Sequence, residues 1–108
     1  MAKLTKWIEE LAEGEQIESV IIGEFGWDGY GDDSPLDNKY IGKVLSWWQA
    51  SPLLSYEFDD GYGAPGCHAI AAYTKSWIIS VYQYDGATKP FRVARNPVDG
   101  FIPDMPGG

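Results

Sequence analysis

Hydrophobic positions along the chain follow two different periods. Near the N-terminus Leu4, Trp7, Ile8 and Leu11 recur at helical spacing, which places them on one stripe of a short amphipathic helix. Thr5 is a residue type that caps helix starts, and Gly14 is a natural stop. From residue 17 the period changes. I-E-S-V-I-I-G-E-F (17–25) is apolar and β-branched, as a strand requires, and strict alternation sets Ile17, Ile21 and Phe25 on one face with Val20 and Ile22 on the other.

The second half of the chain has strand composition in L-S-Y-E-F (54–58), H-A-I-A-A-Y (68–73), W-I-I-S-V-Y-Q-Y (77–84) and K-P-F-R-V-A-R (89–95). Lys75-Ser76 lies in a tight link, and Asp85-Gly86 is a dipeptide that closes two-residue hairpins. These segments predict an α+β fold: a four-stranded antiparallel meander, five-stranded if 17–25 joins it, with two short helices on one face. Between residues 35 and 50 two helix starts compete. S-P-L-D (34–37) offers a capping serine and proline at the first helical position, and S-W-W-Q (46–49) fits a capping box. Gly42 weakens a single helix across the whole stretch by roughly 1 kcal/mol and Pro52 disfavours a helical Ser51, so 40–45 is read as extended, with a short helix beginning after Ser46.

Two stretches read as irregular. G-W-D-G-Y-G-D-D-S-P-L-D-N (26–38) is a glycine- and aspartate-rich loop. The tail 97–108, with three prolines and three glycines, lacks a periodic pattern. A length of 108 residues and a hydrophobic content of 44% suit one folded domain, 1–108, with a core that needs no disulfide or metal. Aromatic residues, at 15%, are numerous enough to fill a core and leave rings for a surface. Trp7, Phe25, Phe58, Trp77 and Phe91 are expected inside, and Trp27, Tyr30 and Tyr62 outside.

Charge narrows the function classes. Sixteen acids oppose eight bases for a net charge of −8, which repels phosphates and argues against direct nucleic-acid binding. Residues 1–33 carry nine acids against Lys3 and Lys6, whereas 75–95 carry Lys75, Lys89, Arg92 and Arg95 against Asp85 alone. The two segments are expected to meet, within one molecule or between subunits of an oligomer. An acidic N-terminus where a signal peptide needs an apolar run, and no apolar stretch of membrane length, predict a cytoplasmic protein that does not engage a membrane.

Chemistry concentrates in Y-E-F-D-D-G-Y-G-A-P-G-C-H-A-I (56–70), which holds the only cysteine beside the only histidine. A metal would need Asp59, Asp60, Cys67 and His68 to converge. Strand alternation points Cys67 and His68 apart, however, and no calcium-loop spacing is present. Adjacent residues also make a poor nucleophile and base pair. Aspartate beside glycine is what turns require. No cofactor, metal or catalytic group is therefore assigned. A small metal-dependent or hydrolytic enzyme using Asp59, Asp60 and His68 is the alternative, and a protein that self-associates through aromatic residues such as Trp47 and Trp48 is another. The reading adopted is a binding protein whose aromatics and acids meet a basic partner.

The segment Y-E-F-D-D-G-Y-G…C-H-A-I…Y-T…V-Y-Q-Y-D-G-A-T…A-R-N-P (56–97) resembles small acidic proteins encoded by bacteriophages and other mobile elements. That resemblance implies a non-enzymatic inhibitor of a host defence complex, acting in the host cytoplasm. In the anti-CRISPR type, carboxylates mimic nucleic-acid phosphates against a basic protein or nucleoprotein surface. The mimics would be Asp28, Asp32, Asp33, Asp59 and Asp60, and the anchoring rings Trp27, Tyr30 and Tyr62.

Overall fold

The computed structural model describes residues 1–26 and 35–107. Trp27, Asp28, Tyr30, Asp32 and Asp33 lie outside the described residues. Helix α1 (Leu4–Ala12) is followed by strand β1 (Ser19–Phe25), a 3-10 turn (Asn38–Tyr40), strand β2 (Val44–Leu45) and helix α2 (Trp47–Leu53). Strands β3 (His68–Tyr73), β4 (Trp77–Tyr84) and β5 (Ala87–Ala94) complete the order. The five strands form one sheet in the order β2-β1-β3-β4-β5, and every neighbouring pair is antiparallel. The chain thus carries the α+β fold, and strand 17–25 sits inside the sheet between β2 and β3 rather than at the end of a meander.

Helix α1 presents Leu4, Ile8 and Ala12 to the core, with Trp7 and Leu11 half-buried on the flanks of the stripe. Thr5 does not cap it: the N-cap is Lys3, which contributes no side-chain bond. At the other end Glu13 adopts a left-handed conformation, with Gly14 after it at φ +85°. Helix α2 starts where the capping box predicts. Ser46 Oγ accepts from the Gln49 N–H (3.1 Å) and Gln49 Oε1 accepts from the Ser46 N–H (2.9 Å). Pro52 does not stop it; the helix runs through to Leu53, and Leu54 N–H closes the last turn on the carbonyls of Ala50 and Ser51.

Residues 54–58 are not a strand. Phe58 instead pairs with the chain's second residue, exchanging Ala2 N–H to Phe58 C=O (2.8 Å) and Phe58 N–H to Ala2 C=O (2.9 Å). Its ring is buried edge-on against Trp7, with centroids 5.3 Å apart. The segment has strand composition, but the backbone partner of Phe58 is Ala2, outside the sheet.

The core is aliphatic. Val20 and Ile22 from β1, Ile70 and Ala72 from β3, Ile79 from β4, and Leu4, Ile8, Ala50 and Leu54 from around the helices form one buried cluster. Each large aliphatic side chain removed from water in this way contributes about 1.5–3 kcal/mol. Both helices feed this same cluster, which puts them on one face of the sheet. Of the five rings expected inside, only Phe58 is fully buried. Trp77 instead lies under the Arg92 guanidinium, 3.7 Å from the ring centroid, and Phe91 stacks edge-on with Tyr82.

A bulge changes the face of Phe25. Register runs Ile22 to Ile70 and then Phe25 to His68, a slip of one residue. The slip turns Phe25 onto the core side against His68, at 4.9 Å between centroids, and leaves Glu24 exposed. Simple alternation had grouped Phe25 with Ile21; the extra residue reverses it.

The acidic and basic segments meet within one molecule. Arg92 bonds Glu13 (2.8 Å) and the Leu11 carbonyl (2.6 Å), while Arg95 bonds Glu18 (2.6 Å) and the Thr74 carbonyl (2.8 Å). Glu15 adds a junction that the sequence did not announce. Its carboxylate accepts from Thr74 Oγ1 (2.7 Å), Ser76 N–H (3.0 Å) and Ser76 Oγ (2.6 Å). The hydroxyl of Ser76, then that of Thr74, holds its carboxyl below the usual range, because both bonds favour the ionised form.

Candidate functional site

The loop after Phe58 begins with an aspartate that organises itself: Asp59 Oδ1 accepts from the Gly61 N–H at 2.9 Å, the short side-chain turn that aspartate favours before glycine. The loop then docks on the β4–β5 hairpin. Thr88 N–H donates to the Asp60 carbonyl (3.0 Å), and Gly63 N–H donates to the Gly86 carbonyl (3.1 Å). The hairpin itself is the tight turn expected at Asp85-Gly86, with φ of +48° and +82°, the left-handed pair that matches strand twist. The Tyr62 ring lies against Gly86, where a Cβ would come within 2.9 Å of Tyr62 Cδ1.

These contacts gather Asp59, Asp60 and Asp85 on one rim of the sheet with two rings. Tyr62 is 81% exposed and Tyr84 52% exposed. The two ion pairs found among the described residues, Arg92–Glu13 and Arg95–Glu18, involve none of these carboxylates. Of the sequence-predicted binding residues, the structure therefore brings Asp59, Asp60 and Tyr62 together. Asp85 and Tyr84, on the hairpin to which the loop is bonded, join them. Gly26 donates its N–H to the Cys67 carbonyl (2.9 Å).

Cys67 and His68 are both buried. The Tyr56 hydroxyl accepts from the His68 N–H (3.0 Å) and shares a hydrogen bond with His68 Nδ1 (2.6 Å). Burial pulls the imidazole down from 6.5 to about 4 and pushes the Cys67 thiol up to about 12. At neutral pH the thiol is protonated. Among the described residues, no three of the His, Cys, Asp and Glu side chains cluster closely enough to hold a metal ion. Trp48 is 86% exposed while Trp47 packs against the core, so that pair is split between surface and interior.

The fold and the site define a small α+β domain built on a five-stranded antiparallel sheet with an acidic, tyrosine-bearing rim. No family model matches the chain, and no curated protein or solved structure is significantly similar to it. Among the described residues, no helix is long and apolar enough to cross a membrane.

Proposed function

We propose that the protein is a non-enzymatic binding module whose acidic rim docks on a basic surface of another macromolecule. The observation that carries this reading is the pair of backbone bonds, Asp60–Thr88 and Gly63–Gly86, that fixes the 59–63 loop to the 85–88 hairpin. A flexible acidic loop would serve solubility alone. A rim held in place, with exposed tyrosines beside unpaired carboxylates, supplies both steering and anchoring contacts. The resemblance to proteins of mobile elements gives the reading its specific form: a stoichiometric inhibitor that covers a Lys/Arg-rich nucleic-acid channel of a bacterial defence complex.

The test is an interference assay in bacteria carrying a nucleic-acid-guided defence complex, with the wild-type chain compared against Asp59→Asn/Asp60→Asn/Asp85→Asn. Asparagine keeps the turn bond to Gly61 and tolerates the left-handed conformation at residue 85, so the change removes charge and leaves the backbone in place. The reading expects the wild type to restore plaque formation against one such complex and the triple variant to lose that effect. Restoration by both proteins would exclude the rim, and no effect on any complex type would exclude the inhibitor form.

A further inference from the structure

Strand β5 forms one edge of the sheet, and the phase of its hydrogen bonds is fixed at both ends. Arg95 N–H donates inward to the Ser76 carbonyl (2.9 Å), while Thr88 N–H points away from β4 and donates to the Asp60 carbonyl (3.0 Å). Backbone direction alternates along a strand, so Pro90, Arg92 and Ala94 also face outward. Beyond Thr88 that edge is unpaired. Among the described residues nothing bonds the Arg92 and Ala94 N–H groups or the Pro90 and Arg92 carbonyls. Such an edge is a template for another extended chain.

The tail stands beside this edge without closing it. Residues 97–107 belong to no helix or strand, and Phe101 holds them, edge-on to Trp77 with centroids 6.0 Å apart. The tail and β5 enclose a cleft of about 550 Å³, with Pro90, Phe91 and Arg92 on one wall and Ile102, Asp104 and Met105 on the other. A second cleft of about 500 Å³ continues past Phe101 to Ala94. Ile102 is 83% and Met105 98% exposed, so the tail is not packed down on the strand. Nor is it suited to pair there. Pro103 and Pro106 lie three positions apart, so each alternate set of its backbone positions contains a residue without an N–H. A second copy is shut out for another reason: its own β5 carries the same tail, and two such edges do not meet with both tails in place. A gap beside free main-chain groups fits one extended chain.

We propose that this cleft is a strand-addition site for an extended peptide of a partner protein, running antiparallel to β5. Peptide residues opposite Arg92 and Ala94 exchange both backbone bonds with them, and the residue opposite Pro90 donates to its carbonyl. The residues between lie opposite Phe91 and Val93, which point away from the core face that Arg92 shares with Ile79. An apolar side chain there contacts both. The rival reading is that Pro90 and the tail only guard the edge against pairing. The site uses none of the rim carboxylates, and its test does not depend on the rim.

The experiment is a titration of the full-length, isotope-labelled chain followed by amide NMR, with the capped peptide acetyl-Thr-Val-Thr-Val-Thr-amide as the probe. The peptide should give saturable shifts at the Arg92 and Ala94 amides and slow their proton exchange. With valine opposite Phe91 and Val93, the threonines carry the bonds to β5. N-methylation of the threonines should therefore weaken binding at least about tenfold. N-methylation of the valines, whose N–H groups point away from β5, should leave it unchanged. Ala94→Pro removes one outward donor, as Pro90 already does, and should weaken the probe about three- to tenfold. The two methylated peptides serve if that variant folds poorly. Absence of saturable shifts would mean that the edge is only guarded. Shifts at the same amides on raising the protein concentration without peptide would assign the edge to a second copy. Either result, or equal binding of the two methylated peptides, would overturn the proposal.

Discussion

The Tyr56 hydroxyl clasps His68 at two points, accepting its backbone N–H at 3.0 Å and hydrogen-bonding Nδ1 at 2.6 Å. One oxygen thereby ties the irregular 54–58 segment to the first residue of β3. Tyr56→Phe leaves the N–H and the ring nitrogen with no hydroxyl to bond. It should lower stability by about 1–3 kcal/mol, the cost of buried polar groups left unmade, measured as a shift in the urea midpoint at pH 7.

The same ring sets a pH dependence. His68 titrates at about 4 in the fold against 6.5 in its unperturbed state, owing to burial. Between those values the unfolded chain takes up a proton that the folded chain refuses. Stability is therefore unaffected by this group above pH 6.5 and declines as pH falls from 6.5 to 4, by about 3 kcal/mol over the window. Denaturation at pH 7, 5.5 and 4.5 should show that decline, and His68→Gln, which does not titrate, should flatten it. An unchanged slope in the variant would assign the effect to other groups.

Glu15 acts in the adjoining acidic window. Its folded pKa lies below 4.5 through the bonds from Ser76 and Thr74, so its stabilisation is complete above pH 4.5 and is lost as pH drops through the folded value. Glu15→Gln keeps the shape and removes the charge. The urea midpoint at pH 7 should fall, and the difference from the wild type should shrink as the pH is taken below 4.

Cys67 should be silent to thiol reagents in the folded protein. It is 2% exposed and its thiol is pushed up to about 12, so at pH 8 very little thiolate exists and none is accessible. Ellman's reagent should react only at the rate of unfolding and should label one thiol per chain in denaturant. Rapid native-state labelling would contradict the burial.

Gly86 tests the join between hairpin and loop. Its φ of +82° and the 2.9 Å approach of a built Cβ to the Tyr62 ring both oppose a side chain. Gly86→Ala should cost about 1–2 kcal/mol from the left-handed backbone alone, with a further loss from displacing Tyr62. The amide of Gly63, bonded to Gly86, should exchange its proton faster in the variant.

Much of this architecture could be read from periodicity. The capping box at Ser46, the Asp85-Gly86 turn and strands β3 to β5 follow local rules, because the residues that decide them are neighbours in sequence. Failures arose where a distant backbone decided the outcome. Residues 54–58 carry strand composition but bond to Ala2, and the slip after Ile22 moved Phe25 to the core side. No one-dimensional pattern contains either event. The site shows the same division. Asp59, Asp60 and Tyr62 were legible as an acidic loop; that Asp85 and Tyr84 belong beside them rests on two backbone bonds whose formation is indifferent to side-chain identity. Tyr56 went unnoticed as the partner of His68 for a related reason: they are twelve residues apart, and the strand expected at 54–58 would have given that tyrosine another role.

The central claim is that the rim at Asp59, Asp60 and Asp85 forms the contact surface for a basic partner. The most direct measurement is the dissociation constant for the basic defence complex proposed as its target, determined for the wild type and for Asp59→Asn/Asp60→Asn/Asp85→Asn at low and at high salt. The account expects the variant to bind at least about tenfold more weakly at low salt, a loss of 1.4 kcal/mol. It also expects the gap to narrow as salt screens the wild-type contacts. Equal affinities at low salt, with the Gly63 and Thr88 amides still protected in the variant, would contradict it.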